Sequence, residues 1–194
     1  KEYQSAGIDR LVCLRGDAPS GMGSASLYRY ANELVEFVRE HTGDHFTIDV
    51  ACYPEVHPQS RSVESDIEFF KAKVDAGANA AITQYFYNAD AYFGFVDDCA
   101  RAGINVPIVP GIMPITNYGN LARFSAACGA EIPRWLTKRL EFLEQDDAAL
   151  REFGLEVVTD LCEQLLAGGA PGLHFYSMNQ ADSVTRLWQN LLED

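Results

Sequence analysis

Residues 80–112 read AAITQYFYNADAYFGFVDDCARAGINVPIVPGI. The first run, AAITQYFY, is short, apolar and rich in β-branched and aromatic residues, as a buried strand requires. An amphipathic stretch follows from Asn88 to Gly103, and then a second apolar run, VPIVPGI. Asn88 can accept from the orphan N–H groups of a helix start, and Gly103 tolerates the positive φ of a helix end. The stretch predicts strand, helix, strand. A crossover helix of this kind joins parallel strands.

The same alternation extends in both directions. RLVCL precedes YRYANELVEFVREH, and FTIDVACY precedes SVESDIEFFKAKVDAG, whose start suits Ser62 or Ser65 and whose end suits Gly77. VPIVPGI precedes NYGNLARFSAACG, with Asn117 at its start, and LHFYS precedes NQADSVTRLWQNLLE. Two further helical stretches are expected near 132–143 and 146–168. Five βα units fit an open doubly wound sheet or a (β/α)8 barrel. No GxGxxG turn opens a helix, which disfavours the dinucleotide-binding open sheet. The expected fold class is α/β, a (β/α)8 TIM barrel of which this chain supplies about five βα units. A full barrel of about 250 residues needs three more.

The chain has 194 residues, 47% of them hydrophobic, enough for one domain with a substantial core, and no linker or repeat divides it. A formal charge of −13 argues against nucleic acid and anionic membrane as partners, because a polyanion is repelled over most of such a surface. Cys13, Cys52, Cys99, Cys128 and Cys162 are widely spaced and odd in number, so neither a disulfide framework nor a zinc site is indicated, and a reducing cytoplasm is the expected location. No metal site is expected. No apolar run approaches the roughly 20 residues of a membrane span, and the opening KEYQSAGIDR lacks the apolar block of a signal peptide. With no initiator Met and a strand almost at once, the natural start is expected upstream.

Unusual polar residues gather just after the predicted strands: Arg15 and Asp17, Glu55 and His57, Gln84, Asn117 and Asn120, then Tyr176 and Asn179. In parallel α/β folds this rim holds the ligand, since loops converge there and helix N-termini supply positive dipole ends. Taken singly, each residue leaves two readings open. Arg15 and Asp17 of "RGD" suit a ligand or a structural ion pair; His57 suits a catalyst or a hydrogen-bonded loop residue; Gln84 suits a heterocycle or its own loop. Tyr85, Phe86 and Tyr87 suit stacking or packing. Lys73 and Asp66 share a helical face and suit phosphate capture or a solvated ion-pair surface.

Taken together, LRGD, YPEVHP, KVDAGANAAITQYFY, VPIVPGIMPITNY and LHFYSMNQA resemble, in order and spacing, the 5,10-methylenetetrahydrofolate reductases of the bacterial type. The resemblance covers nearly the whole chain and begins at that family's fourth strand. It implies a flavoprotein barrel in which residues 1–194 are the C-terminal two-thirds, strands 4 to 8. The first three βα units, with the family's general-acid glutamate, would lie outside this chain. The implied reaction moves a hydride from NADH or NADPH to FAD and on to methylenetetrahydrofolate, giving 5-methyltetrahydrofolate by ping-pong turnover.

Carried over by position, the resemblance implies that Arg15, Gly16 and Asp17 pass along the isoalloxazine and ribityl region of FAD. Asp17 is the catalytic candidate, a carboxylate at the pyrimidine edge. Tyr30 and Ala31 would lie beside the adenosine half, Tyr53 and His57 along the ribityl and phosphate portion, and Asp66 and Lys73 at the ribose and pyrophosphate. Gln84 would bond the pterin, and Asn120, Phe124 and Tyr176 would hold folate or nicotinamide in turn. Gln180 stands where better-known members carry Arg, so an amide contact is expected in place of an ionic one. Phe69 and Ala72 replace polar flavin contacts, and the loop between Asp17 and Tyr30 is lengthened. Two other readings are a catalytically incomplete barrel that serves only as a binding or interaction module, and another flavin barrel such as a proline dehydrogenase. An incomplete barrel's open edges would invite association into a homo-oligomer.

Overall fold

The computed structural model describes residues 1–16 and 28–192. Its elements run α1 (Glu2–Ser5), β1 (Arg10–Cys13), α2 (Ala31–Thr42), β2 (Thr47–Cys52), α3 (Val63–Asp75), β3 (Ala80–Tyr85) and α4 (Ala89–Arg101). They continue with β4 (Ile108–Ile112), α5 (Tyr118–Cys128), α6 (Arg134–Leu143), α7 (Asp147–Ala167), β5 (His174–Phe175) and α8 (Ala181–Asn190). The predicted caps hold. Ser62 and Ser65 exchange side-chain bonds at the head of α3, Asn88 accepts from Asp90 N–H at 3.0 Å, and Asn117 accepts from Asn120 N–H at 2.9 Å. Only the single turn α1 was not foreseen.

All four strand pairings are parallel, and the sheet order follows the chain, β1-β2-β3-β4-β5. A doubly wound sheet would reverse direction beside its first strand. An unbroken order is that of a partial barrel, so the sheet is a parallel half-barrel of five strands.

The two faces of the sheet differ in chemistry. Ile48 and Val50 on β2 are fully buried and pack with Val35 of α2 and Phe70 of α3 in one apolar core. Val12 and Asp49, in register with each other, lie on the opposite face by strand alternation. There Val12 is 51% exposed, whereas Asp49 is buried under a two-pronged bond from Arg10, at 2.6 and 3.0 Å. Charged side chains on this inner face are unusual for a buried strand. They are tolerated because each carboxylate oxygen has a guanidinium partner.

At the N-terminal end of the sheet, Arg39 of α2 donates to the carbonyls of Gly77, Phe46 and Gly43 and to the Asn79 side chain. Gly77, at φ +113, leaves room for it, since a Cβ there would sit 2.9 Å from Arg39 Nε. This clasp ties the start of β3 to α2 and fixes the end of the sheet remote from the strand C-termini.

Candidate functional site

Following β1, Arg15 donates to Gln59 Oε1 at 2.9 Å and to the Gly16 carbonyl at 3.3 Å. Gly16 takes a φ of +72, and among the described residues nothing lies within 4 Å of where its Cβ would be, which suits a close approach to the backbone. Asp17 lies outside the described residues. Tyr30 is the N-cap of α2 and Ala31 its first residue, and Glu33 fixes this helix start by accepting from the Arg29 and Tyr30 N–H groups at 2.6 and 3.1 Å. The Tyr30 ring stacks on Phe69 of α3, with centroids 6.4 Å apart and planes within 16°. Both rings stay exposed, 42% and 56%. Two long helices thus present an aromatic pair to solvent.

The β2 loop is held from α3. Asp66 accepts from His57 N–H at 2.9 Å and from the Ser60 hydroxyl at 2.8 Å. His57 Nδ1 faces the Gln59 N–H at 3.0 Å and so acts as an acceptor, which puts the proton of the neutral ring on Nε2. Tyr53 meets the His57 ring edge to face at 4.5 Å. Lys73 does not lie on a solvated face; its ammonium donates to the Ala51 carbonyl at the end of β2, at 2.5 Å. Burial pulls its pKa below the ordinary lysine value, against the smaller opposing pull of Cys52 and Asp66. Glu55 turns from the rim toward the chain and accepts from Glu131 N–H at 2.8 Å.

The ladder between β3 and β4 is interrupted between Ile82 and Tyr85. Within this irregularity the Thr83 hydroxyl accepts from Gly111 N–H at 2.8 Å, and the Tyr176 hydroxyl donates to the Thr83 carbonyl at 2.8 Å. Tyr176 is half-buried, and burial pushes its pKa up to about 12, so it stays a neutral donor. Gln84 turns its Oε1 to the Tyr85 N–H at 3.0 Å, leaving its NH2 donors for a ligand. Tyr85 in turn reaches Ser125 Oγ at 3.0 Å and seats α5, whose Asn120 and Phe124 are exposed or nearly so. Asn120 accepts from Arg123 at 3.2 Å, and the same guanidinium lies over the Phe124 ring at 5.2 Å. Met178 and Asn179 adopt φ of 50 and 58, a tight turn that delivers Gln180 as the exposed N-cap of α8.

His174, which sequence reasoning missed, shares the register of Gly111 and lies 5.0 Å from the Tyr176 ring. Burial holds its imidazole below the ordinary 6.5, opposed by the Asp49 charge. Between that lowered value and 6.5 the unfolded chain binds more protons than the folded one, so stability rises with pH through this window and falls on acidification. His174→Gln should flatten that fall when urea unfolding is followed from about pH 7.5 to about pH 5. An unchanged slope would show that the imidazole titrates normally.

Arg15, Gly16, Tyr53, His57, Gln84, Tyr176 and Gln180 follow or end strands at a single edge formed by the C-terminal ends of five adjacent strands, whereas Phe124 lies nearly two turns into α5 and Lys73 lies ten residues into α3 and reaches back to the Ala51 carbonyl near the end of β2. A cavity of about 230 Å³ between α3 and α4 includes Tyr53 and Asp66 but is too small for a dinucleotide. A larger groove of about 480 Å³ lies among α6, α7 and α8 and contains none of the candidates. The described candidates make the open rim the candidate site. Among the described residues no helix is long and apolar enough to cross a membrane.

The chain has relatives among known proteins. The profile of the family described as methylenetetrahydrofolate reductase matches residues 1–192. Methylenetetrahydrofolate reductase (NADH) 1 of Arabidopsis thaliana is 40% identical over 201 residues, which take in 97% of this chain but 34% of the plant protein. The 5,10-methylenetetrahydrofolate reductases of Pectobacterium carotovorum and Escherichia coli K12 are 39% and 38% identical over 182 residues, 94% of this chain and 60% of theirs. This chain thus spans about a third of its plant relatives' length and three-fifths of its bacterial relatives'. Among solved structures, a Clostridium thermocellum protein described as binding two copies of 5-methyl-5,6,7,8-tetrahydrofolic acid superposes with a TM-score of 0.57 at 19% identity, over 93% of this chain and 70% of that one. At that identity the likeness is one of fold.

Proposed function

This chain belongs to the methylenetetrahydrofolate reductase family, and we propose that it forms the cofactor- and substrate-facing rim of an FAD-dependent reductase. The reaction would convert 5,10-methylenetetrahydrofolate to 5-methyltetrahydrofolate with NADH or NADPH as donor, the two substrates using one pocket in turn by ping-pong turnover. FAD, when bound, supplies the relay for the two electrons between them.

The observation that carries this reading is the pair of cations at the rim. Arg15 and Lys73 form no salt bridge among the described residues, although the chain carries a net −13. An ammonium has three donors, and Ala51 takes one, so Lys73 retains capacity for a pyrophosphate oxygen. Arg15 and the open backbone at Gly16 suit a flat, electron-rich ring laid across the end of β1. The exposed stack of Tyr30 and Phe69, beside Ala31, suits a purine. The donor set therefore fits a flavin dinucleotide.

In this assignment His57 and Tyr53 line the ribityl portion, and Asp66 both fixes the His57 loop and lies at the ribose. Asp17, outside the described residues, opposes negative charge at the pyrimidine edge. Gln84 offers its NH2 donors to the pterin, while Asn120, Phe124 and Tyr176 contact folate or nicotinamide in turn, and Gln180 contributes an amide. The general acid of the family is not among these residues.

The natural full-length protein, purified or reconstituted with FAD, should be yellow. It should lose that absorbance anaerobically on adding NADH or NADPH and regain it on adding methylenetetrahydrofolate. A protein that cannot be loaded with FAD, or whose colour the nicotinamide leaves unchanged, would contradict the assignment.

A further inference from the structure

We propose that Thr83 is a positioning residue for Tyr176: its buried hydroxyl takes the Gly111 N–H and so reserves the Thr83 carbonyl for the Tyr176 hydroxyl. This rests on the reading above, in which Tyr176 contacts both substrates.

In an uninterrupted ladder a main-chain carbonyl of β3 would take the Gly111 N–H. Here the ladder breaks between Ile82 and Tyr85, and a side chain, Thr83 Oγ1, does so at 2.8 Å. That substitution leaves the Thr83 carbonyl to accept from Tyr176 at 2.8 Å. Thr83 is fully buried, so water cannot replace either partner. The Tyr176 ring crosses β4 where β4 has no side chain: a Cβ on Gly111 would lie 2.6 Å from Tyr176 Cε2 and 2.2 Å from the Thr83 carbonyl oxygen. Edge-to-face contacts with Tyr85 at 6.4 Å and His174 at 5.0 Å flank the ring. The Tyr176 backbone is tied to β4 through its N–H on the Ile112 carbonyl at 2.8 Å, and the hydroxyl bond holds the far end of the ring. The same irregularity, between Ile82 and Tyr85, also contains Gln84, the pterin-facing candidate.

Thr83→Val keeps the shape and removes the acceptor. The Gly111 N–H must then compete for the Thr83 carbonyl, and the Tyr176 ring loses its anchor. In the natural full-length protein, KM for both methylenetetrahydrofolate and the nicotinamide donor should rise about tenfold, with kcat changed less than about threefold. Thr83→Ser, which keeps the hydroxyl, should remain within about twofold of wild type. Tyr176→Phe should raise KM similarly, and Thr83→Val combined with Tyr176→Phe should be no worse than the poorer single variant. Should Val yield no folded protein, Thr83→Cys, a weak acceptor, is read in the same way.

A loss of kcat with unchanged KM, a Ser variant as impaired as Val, or effects that multiply in the double variant would each overturn the proposal. Wild-type protein that neither holds FAD nor oxidises the nicotinamide would defeat the functional reading alone. The coupling is then read from urea unfolding, where non-additive losses for Thr83→Val and Tyr176→Phe support it and additive losses overturn it.

Discussion

Replacing Gly111 by Ala is expected to destabilise the protein by about 3–5 kcal/mol, enough to cut the soluble yield sharply. The added Cβ would stand 2.2 Å from the Thr83 carbonyl oxygen and 2.6 Å from Tyr176 Cε2. The first neighbour is backbone in the middle of a sheet and cannot swing aside as a flexible side chain can. Relief requires β3 and β4 to part or Tyr176 to leave the Thr83 carbonyl, and either move unseats the rim. Gly94, inside α4, is the control, because among the described residues nothing outside its own helix turn lies within 4 Å of its Cβ position. Gly94→Ala should stabilise by about 0.5–1 kcal/mol, since Ala loses less conformational freedom in a helix. Urea unfolding of the two variants tests the contrast; equal midpoints would mean that the β3–β4 contact is looser than described.

Asp17→Asn should slow the methylenetetrahydrofolate half-reaction by about tenfold to a hundredfold while changing hydride uptake from the nicotinamide less than about threefold. Asn keeps the size of the side chain but removes its charge and offers an NH2 where, in the proposed role, the carboxylate would accept from the pterin. The assigned role acts on charge at one ring edge and on one of the two substrates. Stopped-flow measurement of each half-reaction separates the effects. Equal slowing of both would show that Asp17 has a different role.

The fold was legible because its signals are local. Asn88, Asn117 and Ser62 cap within three residues, Gly77 and Gly103 take the positive φ their helix ends need, and strand periodicity survives in every unit. The choice between open sheet and barrel followed from what the turns lacked. Strand β5 is only His174–Phe175, with one further ladder-like bond from the Tyr176 N–H to the Ile112 carbonyl at 2.8 Å. The positions of the rim candidates were legible for a related reason, since each follows a strand.

Their partners were not. Lys73 reads from the residues as a phosphate-capturing or a solvated ion-pair lysine, and its carbonyl acceptor on β2 is 22 residues away in sequence. Tyr176 and Thr83 are separated by 93 residues, and a Thr in a strand carries no mark of an unusual bond. Gly111 did carry a signal, since glycine inside a strand announces a bulge or a close approach. Read as part of VPIVPGI, it was counted only as strand. The Arg10–Asp49 pair likewise joins residues 39 apart, on a face whose polarity no single run discloses.

The most direct test is a crystal structure of the natural full-length protein loaded with FAD. The isoalloxazine should lie across Gly16 with Gln84 and Tyr176 facing it, the pyrophosphate should meet Lys73, and the adenine should stack on Tyr30 and Phe69. Flavin bound away from the C-terminal ends of these strands, or a rim whose candidates face separate cavities, would contradict the account.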